Sequence, residues 1–417
     1  MNTAEAEIRR RIAQRGAISF AEFMELALYW PVGGYYVTGD PTGAQGDFYT
    51  SPQVHPVFGT LIAVQLFQMW RLLGQPDPFT VVELGAGNGL LCRDIVAAAG
   101  ELPPNFLSCL SYVCLDRREG KLLNGQEPYG VNRVAAAEIP FRHLAGCIIS
   151  NEYFDAFPVH QVTVVEGTLS EIYVTQEEGD LVTNAGALSD IALAARFDDL
   201  DLKLEEGQVA EVNLALGSWA QEAAQALHRG FILTVDYGDR ASDLYSAQNR
   251  RRGTLTTFYN HTQIDAPLRY IGRQDITAQV DFTSLVNAGH SNGIEMLGFA
   301  SQGQFLGRLG MASMQHWLRR LELPQIAAQA NRAGMVDLVR PGGLGDFKVL
   351  AQGKNVGNLE LWGFGQSSAV DDEVQDLVDN IPVPLLTGHH LSLPKGLNMG
   401  GELEFDLGNL FDGPETG

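Results

Sequence analysis

Three glycines at alternate positions stand directly after a short apolar run and directly before a helical pattern. The run is Phe79–Leu84, the glycines are Gly85, Gly87 and Gly89, and the helical pattern covers Leu90–Ala99. Because glycine has no Cβ, the backbone of such a turn can take positive φ values and approach a ligand closely. Strand, glycine turn and helix in this order are typical of the start of a nucleotide-binding βαβ unit.

The acids near this turn favour a cationic ligand. Glu83 stands immediately before the glycines, where a carboxylate disfavours a diphosphate, and the third glycine comes one residue earlier than in the GxGxxG pattern of dinucleotide sites. S-adenosylmethionine carries a sulfonium and an ammonium group, which suit a carboxylate and backbone amides. Asp116 ends the next predicted strand, where an acid can accept hydrogen bonds from both ribose hydroxyls, its alternative role being a turn residue or helix N-cap. We therefore predict S-adenosylmethionine at Glu83, Asp116 and the three glycines.

A second polar group follows the continuous apolar run 146–150. It contains Asn151, Glu152 and Asp155, and ligands of doubly wound sheets bind beyond the carboxyl ends of the strands. Methyl transfer from a sulfonium needs in-line placement of the nucleophile more than acid chemistry, because the leaving thioether is neutral. Two carboxylates and an amide can orient a nitrogen nucleophile, and with a guanidinium they also form bidentate hydrogen bonds and can take the released proton. We predict Asn151, Glu152 and Asp155 as catalytic residues, the alternative being that Asn151 and Asp155 cap the next helix.

Composition excludes several other functions. The chain has 417 residues, of which 50 are acids and 28 are bases, for a formal charge of −22. Phosphate backbones repel such a surface, so we expect no nucleic-acid partner, and a cationic substrate or a basic protein fits better. No apolar run approaches the roughly 18 residues of a spanning helix, and the start of the chain resembles neither a signal nor a transit peptide. We expect a cytoplasmic protein without membrane insertion.

The thiols and imidazoles show no metal-binding pattern. The four cysteines, Cys92, Cys109, Cys114 and Cys147, form no CxxC pair, and the nine histidines form no HxxxH or HExxH group. We expect reduced, partly buried thiols and no metal site.

Apolar periodicity predicts an α/β fold. Short apolar runs alternate with helical patterns, which is typical of a doubly wound sheet with a mostly parallel centre; the runs are 79–84, 111–115, 146–150, 231–235 and 347–352. Alternating residues in 161–182, around Glu178-Gly179-Asp180, predict a β-hairpin. Residues 240–281 are polar and are predicted to form loops over the carboxyl edge of the sheet.

We predict three regions. Residues 1–75 form a helical N-terminal region with a substrate or cofactor loop, and residues 76–354 form the core, with insertions at about 161–215 and 240–285. Residues 355–417 form an acidic C-terminal extension, in which eleven acids face one lysine, Lys395. Such a segment either has low internal order or packs locally.

Several sequence blocks between residues 8 and 354 match a known pattern together. They are 31–36, 46–52, 82–89, 150–159, 236–238, 275–282 and 347–350. In this order they resemble the MidA family of S-adenosylmethionine-dependent methyltransferases. The glycine block is shared by many methyltransferases, whereas the blocks around Asp47, Glu152 and Asp281 are much more specific. This chain has Ala86, where the family often has proline.

The resemblance implies a seven-stranded, Rossmann-like methyltransferase core with S-adenosylmethionine at the glycine turn. It also implies that the loop with Asp47, Thr50 and Ser51 borders the cofactor. Mitochondrial members methylate an arginine during respiratory complex I assembly. The resemblance therefore implies a protein substrate with an accessible arginine, such as a complex I subunit, and we also expect a homodimer.

Two other functions fit the same residues. The first is a cofactor-binding assembly factor that acts by docking a partner protein. The second is a methyltransferase for a small molecule or for another acceptor atom, since the turn at Asn151 and Glu152 favours nitrogen without excluding oxygen.

Overall fold

The computed structural model describes residues 3–38, 50–103, 105–118, 130–259, 262–365 and 368–390. The helices are α1 (Ala4–Arg15), α2 (Phe20–Tyr29), α3 (Tyr35–Thr38), α4 (Ser51–Val54), α5 (Val57–Leu72), α6 (Leu90–Ala99), α7 (Asn105–Cys109), α8 (Ala192–Asp199), α9 (Leu216–Ala226), α10 (Ala241–Leu244), α11 (Phe282–His290), α12 (Gln302–Arg308), α13 (Met311–Leu318), α14 (Gln325–Asp337) and α15 (Ser368–Val378). The strands are β1 (Ile18–Ser19), β2 (Phe79–Leu84), β3 (Leu110–Asp116), β4 (Val131–Ala135), β5 (Leu144–Asn151), β6 (His160–Val165), β7 (Thr168–Glu177), β8 (Asp180–Gly186), β9 (Val209–Val212), β10 (Leu227–Asp236), β11 (Gly238–Asp239), β12 (Thr256–Tyr259), β13 (Thr262–Ile264), β14 (Asp275–Thr277), β15 (Val280–Asp281), β16 (Glu295–Ser301) and β17 (Lys348–Lys354).

A seven-stranded sheet forms the centre of the fold, with the strand order β16, β17, β10, β5, β2, β3, β4. The strands from β10 to β4 pair in parallel, whereas β17 is antiparallel to both of its neighbours. Residues alternate between the two faces, so Val81 packs with α5 and α6 while Val82 packs with α9 and α11. Helices therefore cover both faces, and the predicted doubly wound, seven-stranded fold is confirmed.

The parallel strands bring four chain segments to one edge of this sheet. Strands β10, β5, β2 and β3 are neighbours in that order. Their carboxyl ends are Asp236, Asn151, Leu84 and Asp116. The residues that follow these ends lie side by side although they are far apart in the sequence.

The inserted segments contain more strands than the sequence indicates. The alternating region becomes three strands, because Glu166 and Gly167 both take positive φ and make a turn before the predicted one at Glu178. These strands join β1 and β9 in a second sheet. Residues 240–281, predicted as loops, include the three-stranded sheet β13, β12, β14. The strands there have only three or four residues, which is too short for a clear alternation.

The C-terminal extension packs on the helical layer as far as it is described. Trp362, Val374, Val378 and Ile381 are buried in the cluster that contains α5 and α6. Residues 391–417 lie outside the described residues. Within the described part of the chain, no helix is both long and apolar enough to cross a bilayer.

Candidate cofactor and acceptor site

The glycine turn has the backbone conformation that its sequence requires. Gly85, Gly87 and Gly89 have φ values of 67°, 51° and 80°. A Cβ on Gly85 would lie 2.9 Å from a ring carbon of Tyr153, so glycine is needed there for space as well as for conformation. Gly89 has a left-handed backbone conformation and directly precedes α6. The helix therefore begins immediately after the turn.

Two charged side chains hold the turn from outside. The Asp116 carboxylate accepts a hydrogen bond from the Gly87 amide, with an N–O distance of 3.0 Å. Arg133 of β4 donates to the carbonyl oxygens of Gly87 and Asn88, each at 3.0 Å. Arg133 was not predicted from the sequence, because β4 is only partly buried and has no continuous apolar run.

Glu83 lies buried beneath the turn. Its carboxylate accepts a hydrogen bond of 2.8 Å from the Tyr112 hydroxyl. Burial raises the pKa of Glu83 to about 8, although the bond from Tyr112 acts in the opposite direction. The thiols of Cys92 and Cys114 lie within 4.8 Å of this carboxylate and of each other. The sequence spacing does not indicate this cluster, because the topology creates it.

A cavity of about 630 Å³ opens in front of the turn. Its lining joins the two predicted groups, since it includes Glu83, Gly85, Gly87 and Asp116 from the ends of β2 and β3, and Asn151, Glu152 and Asp155 from the end of β5. Its volume lies in the range of small-molecule sites, about 300–1,000 Å³. A single space can therefore hold a cofactor and the group that reacts with it.

The turn after β5 has an unusual backbone. Glu152 has a φ of 48°, which a residue other than glycine rarely takes. Asp236 at the end of β10 stabilises this turn, because its carboxylate accepts hydrogen bonds from the amides of Tyr153 (3.1 Å), Phe154 (2.9 Å) and Tyr237 (2.9 Å). Asp236 thereby orients the segment that carries Glu152 and Asp155.

Glu152 and Asp155 are desolvated acids. The Glu152 carboxylate accepts hydrogen bonds from the Asn151 side chain (3.0 Å) and from the Ser51 amide (3.3 Å). Burial, followed by the charge of Asp155, raises the pKa of Glu152 to about 8. Burial also raises the pKa of Asp155 above its usual range, and a hydrogen bond from Tyr237 offsets part of this effect. Among the described residues, Oδ1 of Asp155 and Oδ1 of Asn151 have no hydrogen-bond partner.

Two further acids complete a group that we call the carboxylate cluster: Glu152, Asp155, Asp236 and Asp275. Asp275 of β14 accepts a hydrogen bond of 2.9 Å from the Tyr36 hydroxyl, and its charge contributes to the raised pKa of Glu152. Burial, and next the charge of Asp155, raises the pKa of Asp236. Asp236 and Asp275 are missing from the predicted site residues, although both begin blocks that carry the family resemblance.

Two aromatic rings line the cavity near the acids. Tyr29 and Tyr36 line the cavity and stack with their ring centroids 5.5 Å apart. Arg117 lies over the Tyr29 ring at 4.0 Å, and the Tyr29 hydroxyl donates to the carbonyl of Ala156 (2.9 Å). These tyrosines come from α2 and α3, so the N-terminal region contributes directly to the site.

The remaining predicted residues differ in placement. Thr50 lines the cavity. The Ser51 hydroxyl donates to Gln302, so Ser51 contributes its amide rather than its side chain to the cavity side. Gly89 is the cap of α6 and does not line the cavity. Asp47 lies outside the described residues.

Comparison with known proteins identifies the class. The chain belongs to the S-adenosyl-L-methionine-dependent methyltransferase family whose sequence model matches residues 61–300. The protein is therefore a methyltransferase that uses S-adenosylmethionine, and the predicted cofactor and reaction class are confirmed. The nucleotide-like cofactor that the glycine turn predicts is therefore the methyl donor S-adenosylmethionine.

Individual relatives support the resemblance to the MidA family. The chain is 29% identical to the protein arginine methyltransferase NDUFAF7 homolog, mitochondrial, of Drosophila melanogaster, with 83% of each chain covered. It is 27% identical to protein arginine methyltransferase NDUFAF7, mitochondrial, of Homo sapiens, with 72% of each covered. Because these relatives are named mitochondrial, the prediction of a cytoplasmic location was wrong.

A solved structure supports the fold and the cofactor. A protein from Burkholderia thailandensis, bound to S-adenosyl-homocysteine, matches with a TM-score of 0.76 and 29% identity. The match covers 87% of this chain and 95% of that one. S-adenosyl-homocysteine is the demethylated form of the methyl donor.

The cavity fits S-adenosylmethionine by its own chemistry. The backbone of Gly85 and Gly87 faces the space, and a Cβ on Gly87 would meet no atom within 4 Å. The buried carboxylate of Glu83 lies on the same side. A cationic ligand group stabilises the ionised form of such a carboxylate, so the ligand offsets the cost of burying the charge.

Proposed function

We propose that this protein transfers a methyl group from S-adenosylmethionine to an arginine of a protein substrate. The observation that carries the proposal is the pair Glu152 and Asp155, two desolvated carboxylates that share one cavity with the glycine turn. The names of the Drosophila and human relatives support the same acceptor.

We assign the cofactor to the side of the glycine turn. Glu83 attracts the ammonium group of its amino-acid part, the amides of the turn donate hydrogen bonds to its carboxylate, and Asp116 accepts hydrogen bonds from the ribose hydroxyls. When bound, S-adenosylmethionine supplies a methyl group on a positively charged sulfur. The side chain of Thr50 lies on the cavity wall and borders the same ligand.

We assign the acceptor to the side of the carboxylate cluster. A guanidinium has five N–H donors in a plane, and the unpartnered oxygens of Asp155 and Asn151 supply acceptors that need such donors. Glu152 holds a second edge of the group. Tyr29 and Tyr36 give the flat side chain an aromatic face and exclude water.

The buried acids also provide an acceptor for the proton that an arginine releases when it is methylated. A guanidinium nitrogen is a poor nucleophile while its lone pair is delocalised, and methylation releases one proton. The nitrogen forms its bond to the methyl carbon as the carbon–sulfur bond breaks, and the proton moves to Asp155, whose raised pKa makes it a better base than an exposed aspartate. Asn151 orients Glu152 by its side-chain hydrogen bond.

The test compares arginine methylation in cells. Quantitative mass spectrometry of methylarginine is measured in a deletion strain, in that strain with the wild-type gene, and in that strain with Glu152→Gln. We expect at least one protein arginine to be methylated only with the wild-type gene. If no arginine site depends on the gene, arginine is not the acceptor. Methylation of another residue type would point to a different acceptor for the same cofactor chemistry.

A further inference from the structure

One inserted segment has the opposite charge from the rest of the molecule. Residues 246–274 contain five arginines, one aspartate and no other charged residue, in a chain whose formal charge is −22. The inference below rests on the proposed function, because it concerns the protein that presents the arginine to the cavity.

Two tyrosines and two arginines of this segment form a surface that we call the basic rim, in which Tyr259 is half-buried and the other three are exposed: Tyr259, Arg269, Tyr270 and Arg273. The rings of Tyr259 and Tyr270 stack almost in parallel, with centroids 4.2 Å apart and an interplanar angle of 3°. The Arg273 guanidinium lies 5.7 Å from the centre of the Tyr270 ring. Tyr270 is 40% exposed, so this stack is not part of a core.

The two rim arginines have no acidic partner among the described residues. Arg251 of the same segment pairs with Glu205 at 3.2 Å, whereas no carboxylate lies within ion-pair distance of Arg269 or Arg273 in the described ranges. Both side chains are exposed. Exposed cations beside accessible aromatic rings are common in protein interfaces, since tyrosine and arginine are enriched among the residues that contribute most to binding.

The segment that carries the basic rim packs against residues that border the cavity. A Cβ on Gly272 would lie 1.9 Å from the carbonyl oxygen of Gly33, so the backbones of the rim and of the turn before α3 touch. Leu268 and Ile271 pack in the cluster that includes Tyr29 and Tyr36, both of which line the cavity.

A second connection runs through the small sheet. Phe258 of β12 pairs with Asp275 of β14, and Asp275 accepts the hydrogen bond of Tyr36. Thus the strand that carries Tyr259 is bonded to the strand that carries one acid of the carboxylate cluster. The basic rim is therefore joined, by packing and by strand pairing, to residues that line the cavity or belong to the carboxylate cluster.

We propose that the basic rim binds an acidic segment of the substrate protein, adjacent in sequence to the methylated arginine. The cavity attracts the cationic arginine, and the rim attracts flanking carboxylates through Arg269 and Arg273. This charge pattern also selects against the many arginines that have basic neighbours. The overall charge of −22 disfavours nucleic acid and anionic membranes as occupants.

The test uses synthetic peptides as probes. Each peptide has one central arginine, flanked by glutamates, by glutamines or by lysines, and its binding to the full chain is measured by fluorescence anisotropy. S-adenosyl-homocysteine is present, so no methyl transfer takes place. The wild-type protein is expected to bind the glutamate peptide about tenfold more tightly than the lysine peptide, and added salt is expected to reduce the difference.

Charge reversal at the basic rim tests whether its arginines cause the preference for the glutamate peptide. Arg269→Glu with Arg273→Glu is expected to remove or invert the preference, whereas Arg332→Glu, at an exposed position of α14, is expected to retain it. Circular dichroism and S-adenosyl-homocysteine affinity check that the double variant is folded, and the milder Arg269→Gln with Arg273→Gln is used if it is not. An unchanged preference in the rim variant would overturn the proposal. So would rim-dependent binding to phosphatidylserine vesicles or to RNA without discrimination among the peptides.

The outcome is separable from the proposed function, because binding requires no chemistry. A preference for glutamate together with no gene-dependent methylarginine in cells would keep the docking surface and reject the acceptor. Gene-dependent methylarginine without any peptide preference would keep arginine as the acceptor and reject the docking surface.

Discussion

The two sides of the cavity differ in how the chain builds them. The glycine side comes from one contiguous stretch, residues 83–88, joined by Asp116. The carboxylate cluster comes from three separate places in the sequence, namely the turn after β5, the end of β10 and β14, and Tyr36 of α3 donates a hydrogen bond to it. The first side depends on local backbone conformation, whereas the second depends on correct assembly of the whole fold. The two should therefore respond differently to substitution.

The largest effect is expected from Asp155→Asn. This change keeps the shape but removes the base, so the methyl-transfer rate should fall about 10²-fold or more, while the affinity for S-adenosylmethionine stays within about twofold. The measurement is single-turnover transfer of a labelled methyl group to hypomethylated extract from the deletion strain, with calorimetry for the cofactor. A variant that loses both properties in parallel would show that the two sides are not separate.

A substitution on the glycine side is expected to weaken cofactor binding, in contrast to Asp155→Asn. Gly85→Val imposes a β-branched side chain at a φ of 67°, with its Cβ 2.9 Å from Tyr153. The cost is at least about 1–2 kcal/mol, so the cofactor dissociation constant should rise tenfold or more. Gly207→Val is the matched control, since Gly207 has a φ of 71° with open space around it. If both variants bind the cofactor equally, the turn has no role in binding.

Asp236→Asn should produce an intermediate effect, confined to the acceptor side. The amide group cannot accept all three backbone hydrogen bonds, so the turn that carries Glu152 loses its orientation. The expected loss is about 1–3 kcal/mol in transition-state stabilisation, seen as a lower kcat with little change in cofactor affinity. Thermal unfolding measures the accompanying loss of stability. An unchanged kcat would show that Asp236 only stabilises the fold.

The smallest effect concerns pH. Burial raises the pKa of Glu83 to about 8, so the free protein loses stability as the pH rises from about 4.5 to about 8, because over this range the folded state retains a proton that the unfolded state has released. A bound cation favours the ionised carboxylate, so cofactor affinity should rise a few-fold over the upper part of this range. Comparing wild type with Glu83→Gln at each pH cancels the titration of the ligand itself. If the variant retains the same pH dependence, Glu83 is not the titrating group.

The same contrast explains which site residues could be predicted from the sequence. The glycine turn is visible because strand, glycines and helix follow one another without a break, and Asp116 ends the next strand. Glu152 and Asp155 are visible because they follow a continuously apolar strand. Asp236, Asp275, Tyr36 and Arg133 belong to the site only through strand order and helix packing, and no local pattern indicates a position in the folded sheet.

The fold divides in a similar way. Helix α6 and strand β2 have the boundaries that the sequence pattern predicts, because the first has a complete apolar face and the second is a buried apolar run. The edge strands β4 and β16 were missed, since edge strands are only partly buried and lack continuous apolar sequence. The cellular location was predicted wrongly because the composition of the first residues says little about where a protein is located.

The central claim is that one cavity holds the cofactor on the glycine side and the acceptor arginine on the carboxylate side. The most direct measurement is a paired one on Glu152→Gln: calorimetric titration with S-adenosylmethionine, and methylarginine mass spectrometry in cells that carry only this variant. We predict cofactor affinity within about twofold of wild type and loss of the gene-dependent methylarginine. Wild-type methylation by this variant, or loss of cofactor binding in a folded protein, would contradict the claim.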